Sequence, residues 1–598
     1  MKNRSLPAQL FAGVLLAAAA LSLTACSNII YREPAANYAG RPIPPSGLLE
    51  RVMVAYTSNG SQGGLEILDG LRDIRSNVQN TIPAFFIKGF SAAQPTYIIN
   101  FPEQTTGYIL SYTDGSVDSV NYGTEAAGGS VAGFGNQPPS IAAAPGGVLF
   151  AGAAEGSGVL GVAGTYGSVS LNLPNVDKVV VNPAGTIVLA MVRNSNQLYR
   201  VVKMPATSNP VYPPGYIDCE PLLLPVYCVV PVGNTSLAPN GAAAIAGAAY
   251  DRPVNAIFSG DGSSVYVLNC GAECGGANSS VTILQTAPLL ITSIPTFDPL
   301  CGQPGQGGQP AHPACPVPAP SPLATLAVAN PIPVPGGATV AVADSNYLYI
   351  AGQQLGGDGL FAGNLSLLAI PNSTIPTNTP YTITNTYSIA DGNHTVMRLA
   401  DNANLWIGSQ QCANGQRAAN AAAGITTQAA NYNCLTRFVT GGSAILPSWT
   451  AKTAYNLGQR VTDGTNVEIV LTAGTSGASA PSWTTNTNGQ TSTTDGSVVW
   501  VNLGAVTPVQ IIPTVTPNNA TATNITVPNI NTNQNPYYYG NVNGIAWVQN
   551  YGKVYTGYGG QVHAFYTSDG SELDNYLFTV QGTVLDMAYI DAESNSAD

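Results

Sequence analysis

Val254-Asn-Ala-Ile-Phe-Ser-Gly-Asp-Gly-Ser-Ser-Val-Tyr-Val-Leu268 reads as a strand, a tight turn and a second strand. Asp-Gly between apolar runs is a strong short-range hairpin signal, because both turn positions need backbone angles that Gly and Asp tolerate. The same theme returns at Ser140-Ile-Ala-Ala-Ala-Pro-Gly-Gly-Val-Leu-Phe-Ala151 and Val179-Val-Val-Asn-Pro-Ala-Gly-Thr-Ile-Val-Leu-Ala190. It appears again in 340–350, in 396–407 and in Gly544-Ile-Ala-Trp-Val-Gln-Asn-Tyr-Gly-Lys-Val-Tyr555. Helical periodicity is almost absent after residue 25, so the pattern is all-β. Paired strands recurring every 40 to 70 residues or so are how propeller blades look in sequence. The expectation is a β-propeller of about seven blades, with six to eight open; a stack of β-sandwiches is the competing architecture.

These units resemble the blades of the YVTN-type propeller superfamily, most closely at Phe258-Ser-Gly-Asp-Gly-Ser-Ser-Val-Tyr-Val267. That resemblance implies architecture only. It divides the chain into a first propeller part at 51–446 and a last part at 505–598, with an interruption between them. Ring closure is expected to pair 584–590 with 51–56 and 65–68.

The N-terminus carries Lys2 and Arg4, an apolar run from Leu10 to Leu23, and then small residues before a cysteine, the layout of a secretory signal. Leu23-Thr24-Ala25-Cys26 resembles the bacterial lipobox. The resemblance implies removal of 1–25 and acylation of Cys26; more than one acyl chain gives stable anchoring. Ser27 then favours the outer membrane, with exposure at the cell surface open. Residues 26–50, with four prolines from Pro34 to Pro45, read as a lipidated tether.

Only 8% of residues are charged, against roughly 25% in ordinary soluble domains. With 19 basic against 31 acidic residues the net charge is -12, which excludes a phosphate-tracking basic groove and so disfavours nucleic acid. A polar, nearly uncharged surface suits a neutral polysaccharide or an envelope protein as partner. The nine cysteines leave eight beside Cys26: Cys219, Cys228, Cys270, Cys274, Cys301, Cys315, Cys412 and Cys434. In an exported chain an even number favours disulfides, with sequence neighbours the simplest pairing and the connectivity open. Three histidines, at 312, 394 and 563, and one C-x3-C spacing do not make a structural metal site. No metal or other cofactor is expected.

Residues 447–504 break the blade pattern. They hold three of the five tryptophans, in the layout Trp449-x5-Tyr455-x2-Gly458-x2-Val461, then Ala473-Gly-Thr-Ser-Gly477, Pro481-Ser-Trp483 and Asp495-Gly-Ser-Val-Val-Trp500. This resembles small β-modules related to chitin-binding type 3 domains, although an adjacent aromatic pair is missing. The resemblance implies glycan binding, with Trp449, Tyr455, Trp483 and Trp500 as candidate stacking residues. An aromatic face suits the C–H face of a pyranose. A unit this small also has little else to bury, so the same side chains are candidates for its own core.

Catalytic constellations are weak. YVTN-type propellers include relatives of lactonases, which makes a lactonase-like hydrolase the enzymatic alternative, with His394, Arg398, Asp401 and His563 as the acid–base groups to gather at a channel. Gly129-Ser-Val-Ala-Gly133 has its serine displaced from a nucleophile elbow. Thr113–Asp118 and Ser568–Glu572 are acidic hairpin turns that do not complete a calcium loop. The expectation is a membrane-anchored binding or interaction lipoprotein, not an enzyme. A structural propeller of the envelope or of an extracellular assembly is the alternative.

Overall fold

The computed structural model describes residues 43–591 apart from 71–84, 102–104, 155–158, 205–217, 220–225, 233–249, 293–330, 357–360, 372–380, 411–433, 441–445, 486–491, 513–515, 518–524, 527–541, 574–577 and a few single or paired positions. Cys26, Cys301, Cys315, Cys412 and His312, with the signal and most of the tether, lie outside the described residues.

The chain is an all-β propeller. Among the described residues, eight antiparallel sheets of four or five strands form the ring; in all but the first the innermost strand is the first of its sheet in sequence. Blades 2 to 6 span 95–133, 140–172, 176–232, 253–333 and 340–388. Blade 7 runs from 393 to 512 and blade 8 from 542 to 579. Blade 1 is composite: Arg51–Ser58, Gln62–Asp69 and Phe85–Phe86 are joined by Thr583–Tyr589 as the innermost strand. The inner strands pack each on the next from blade 1 round to blade 8 and back to blade 1.

The quoted segment supplies the first two strands of blade 5, Pro253–Phe258 and Ser264–Asn269. Its turn is closed from within: Asp261 Oδ1 accepts the Ser259 hydroxyl at 2.6 Å and the Ser263 N–H at 3.0 Å, and Gly262 sits at φ +71°. These bonds hold the Asp261 carboxyl below its usual range, the Ser259 hydroxyl contributing most. Asn182 and Asp344 make the equivalent turns of blades 4 and 6 by accepting backbone N–H groups two to five residues ahead.

A single extra residue recurs near the start of the inner strand. Register slips by one between Pro95 and Tyr97, Val176 and Lys178, Pro253 and Asn255, His394 and Val396, and Asn543 and Ile545. Such bulges sharpen local twist, which the crowded centre of a ring requires. The blades are cemented by apolar side chains between adjacent sheets. Val52, Val54 and Leu68 of blade 1 meet Val548 and Tyr555 of blade 8, for example, while Met53, Leu65 and Ile67 meet Ile98 and Ile109 of blade 2.

The seam between the two ends of the chain is polar and buried. Arg51 Nε and Nη2 donate to the two oxygens of Asp591 at 2.9 and 2.7 Å, and Nη1 donates to Glu125 of blade 2 at 3.0 Å. Glu125 also accepts the Ser46 N–H at 2.7 Å, which docks the last residues before blade 1. Tyr589 donates to Glu50. A fork-shaped guanidinium facing two carboxylates is a geometry in which a buried charge is well compensated.

Candidate functional site

The interruption in blade 7 occurs between its third strand, Cys434–Val439, and its fourth, Val509–Ile512. Residues 447–505 build their own sheet, in the order Arg460–Thr462, Asn466–Thr472, Val498–Ala505, Ser492–Asp495. Ala454–Tyr455 pairs with Gly474–Thr475 beside it. Arg460 Nη2 reaches Ile511 O at 3.5 Å, where the insert returns to the blade.

Asp495 organises this unit. Its Oδ2 accepts the Trp449 indole N–H at 2.7 Å and the Trp500 indole N–H at 3.1 Å, while Oδ1 accepts the Gly477 N–H at 2.7 Å. The Tyr455 hydroxyl accepts the Thr450 N–H at 2.7 Å, and the Ser476 hydroxyl accepts the Thr453 N–H at 2.9 Å and donates to Thr450 O at 2.7 Å. Glycine is required where the two loops touch: a Cβ on Gly474 would lie 2.5 Å from Ser497 O, and one on Gly496 2.3 Å from Thr475 O. Trp449, Tyr455, Ser476, Gly477, Asp495 and Trp500 are therefore engaged in holding the unit together.

This placement corrects the four-residue platform. Trp500 has no exposed surface and Tyr455 is 8% exposed. Their rings meet edge to face at 4.8 Å, and Trp483 meets Trp500 likewise at 5.7 Å. Neither Trp500 nor Tyr455 can present a face to a sugar. Trp449 and Trp483 are half-buried, packed against the same cluster. On the same sheet Glu468 is fully buried; Oε1 accepts from Asn502 Nδ2 at 2.8 Å, while Oε2 has no hydrogen-bond partner. Burial, with a smaller push from Asp463, raises its carboxyl to about 7.

The four acid–base candidates do not converge. His394 and Asp401 stand at opposite ends of the inner strand of blade 7, roughly 20 Å apart at strand spacing. His394 is buried, its Nε2 3.0 Å from Ala390 O and its Nδ1 without a hydrogen-bond partner; burial lowers its pKa. Asp401 accepts the Gly552 N–H at 2.8 Å, and Arg398 donates to Ile545 O at 3.4 Å, so both tie blade 7 to blade 8. His563 lies on the third strand of blade 8, buried and 2.6 Å from Glu572. The acidic turns repeat the Asp261 arrangement, Asp114 accepting from Ser116 and Asp569 from Ser571. Among the described residues no group of three His, Cys, Asp or Glu side chains comes together as a metal site.

Cys270 and Cys274 form a disulfide. Cys228 and Cys434 are also disulfide-bonded, and in blade 4 the register sets Cys219 opposite Cys228. Sequence reasoning passed over Glu468, Glu273 and Gln353 and gave Asp495 no role beyond its place in the Asp-Gly-x-Val-x-Trp run. No helix among the described residues is long and apolar enough to cross a membrane.

No protein-family profile and no curated protein matches the chain. Solved structures similar to it include a 6-phosphogluconolactonase homologue from Bacteroides fragilis, 14% identical over 65% of this chain and 90% of that one, TM-score 0.33. The β-propeller domain of Cps50 (Swd1) from Myceliophteria thermophila is 9% identical over 58% and 83%, TM-score 0.32. The periplasmic gluconolactonase of Pseudomonas aeruginosa is 12% identical over 65% and 92%, TM-score 0.31. The chemistry of those proteins does not transfer at such distances, and what the chain itself displays is a propeller with a separate small β-sheet inserted in one blade.

Proposed function

We propose that this chain is a lipid-anchored binding propeller of the outer membrane, which displays the inserted unit to a partner and performs no chemistry of its own. The observation that carries this reading is where the insert leaves the ring. It emerges between the third and fourth strands of blade 7, on the side where the inner strands end. The described segment before blade 1 docks on that same side through Ser46 and Glu125, so it and the insert share one face. Such an arm meets a partner without involving the centre of the ring.

Two partner classes fit. A neutral polysaccharide would stack on the half-buried Trp483 and Trp449, in surroundings that are polar and almost uncharged. An envelope protein is favoured by the burial of Trp500 and Tyr455, which leaves a small aromatic surface for sugar. Pull-down on insoluble neutral polysaccharides, with the chain from Ser27 and the same chain lacking 447–504, separates them. Phe438 and Val509 face each other across the pair of strands, so the excision leaves a hairpin that can close. Retention lost with the excision identifies a glycan-binding lipoprotein; no retention by either leaves the protein partner. The anchor has its own test: Cys26→Ser is expected to move the chain from the membrane to the soluble fraction. A lactonase-like activity would replace this reading if the purified chain opened a sugar lactone and His394→Ala abolished it.

A further inference from the structure

Cys270 and Cys274 close a one-turn 3₁₀ segment, Gly271–Cys274, between the second and third strands of blade 5. The loop is tight: Gly271 has φ +62°, and a Cβ there would lie 2.2 Å from Ser279 N. What it carries is Glu273, whose carboxylate leaves its own blade. Oε2 accepts the Thr339 hydroxyl and the Gln353 N–H, both at 2.8 Å, and Oε1 accepts Gln353 Nε2–H at 2.9 Å. Gln353 continues the line, its Oε1 accepting the Gly392 N–H at 3.1 Å. Thr339 immediately precedes the inner strand of blade 6, Gln353 lies on that blade's second strand, and Gly392 leads into blade 7. The carboxylate thus ties blade 5 to blade 6, and Gln353 carries the line on to blade 7, on the face where inner strands begin. Bonds to an ionised acceptor are roughly twice as strong as neutral ones.

We propose that the Cys270–Cys274 disulfide is a redox-sensitive brace for this strap: opened by a dithiol reductant, it frees Glu273 and uncouples blade 5 from blades 6 and 7. Cys270 is fully buried and Cys274 half-buried, so the reductant's thiolate attacks the sulfur of Cys274. A mixed disulfide forms there and Cys270 leaves as a thiolate that takes a proton. The reductant's second thiol then displaces Cys274. Two electrons and two protons pass from the dithiol to the protein, which gains two thiols, and the reductant departs as its own disulfide. The three residues between the cysteines then recover the freedom the ring had denied them, and Glu273 is no longer held toward Thr339 and Gln353.

Because other cysteines are also bridged, the full chain is compared with a Cys270→Ser/Cys274→Ser variant by amide hydrogen exchange. The expected result is about tenfold faster exchange at 339–341, 353 and 392–393, with 176–181 of blade 4 unchanged. Exchange unaltered at those positions, or raised equally in blade 4, overturns the proposal. Glu273→Gln, which keeps the disulfide, covers the case in which the double variant fails to fold. Coupling between strap and disulfide is reciprocal, so dithiothreitol followed by alkylation should label Cys274 several-fold faster in Glu273→Gln than in the parent chain. Equal labelling overturns the proposal as well.

Discussion

Asp261-Gly262 in blade 5 and Asp495-Gly496 in the insert are the same dipeptide in two settings. Asp261 is exposed and, among the described residues, bonds within its own turn, to Ser259 and Ser263. Asp495 is 4% exposed and collects the indole N–H of Trp449, 46 residues away, that of Trp500, and the backbone of Gly477. The first is a local device, repeatable in any blade; the second is the hub of a small core that cannot rely on apolar area alone. A dipeptide therefore announces a turn but does not say whether its carboxylate serves the turn or the whole unit.

The largest break in that comparison is expected from Asp495→Ala. It leaves two indole donors and one backbone donor without their acceptor, at about 1–3 kcal/mol each where they are buried. The insert should lose cooperative unfolding in calorimetry while the ring's main transition stays. Asp591→Ala tests the same principle at the ring seam: it strips the fork from buried Arg51 and should cost about 3–5 kcal/mol. Here the main transition moves and the insert's does not. Urea titration followed by ring and insert fluorescence separates the two.

Acidity sharpens the contrast further. Glu468 in the insert and Glu66 in blade 1 are both buried with one unpartnered oxygen, and burial raises each carboxyl to about 7 from an ordinary value near 4.5. In each the protonated form is favoured by the fold, so stability is full below about 4.5 and is lost as pH rises through 7, at about 1.4 kcal/mol per pH unit per group. His394 acts in the opposite sense: its lowered pKa gives stability above its ordinary 6.5 that is lost as pH falls below it. Two carboxyls against one imidazole predict a higher Tm at pH 6 than at pH 8. Glu66→Gln should flatten that dependence for the ring and Glu468→Gln for the insert. The smallest effect belongs to Asp261→Ala, about 0.5–1 kcal/mol, since its bonds are exposed and replaceable by water.

Sequence read the propeller well where the physics is local. Alternation, Gly at positive φ and Asx turns marked blades 3 to 8 at 140–151, 179–190, 254–268, 340–350, 396–407 and 544–555. The count was harder because blade 1 is assembled from both ends of the chain and blade 7 carries 69 residues between Val439 and Val509. The candidate site was legible only as composition. Trp449, Tyr455, Trp483 and Trp500 look alike in a string, and only the packing round Asp495 distinguishes the buried pair from the half-buried one. Glu273 gave no signal, because its partners Thr339 and Gln353 lie 66 and 80 residues away.

The most direct measurement is amide hydrogen exchange on the full chain carrying Asp495→Ala, beside the same chain carrying Asp261→Ala. The account predicts that Asp495→Ala removes protection throughout the strands 460–472 and 492–505 and leaves the blades as they were, whereas Asp261→Ala alters only 259–264. Protection surviving across 460–505 in Asp495→Ala would contradict it, since Trp449, Trp483, Tyr455 and Trp500 would then owe their placement to something other than that carboxylate.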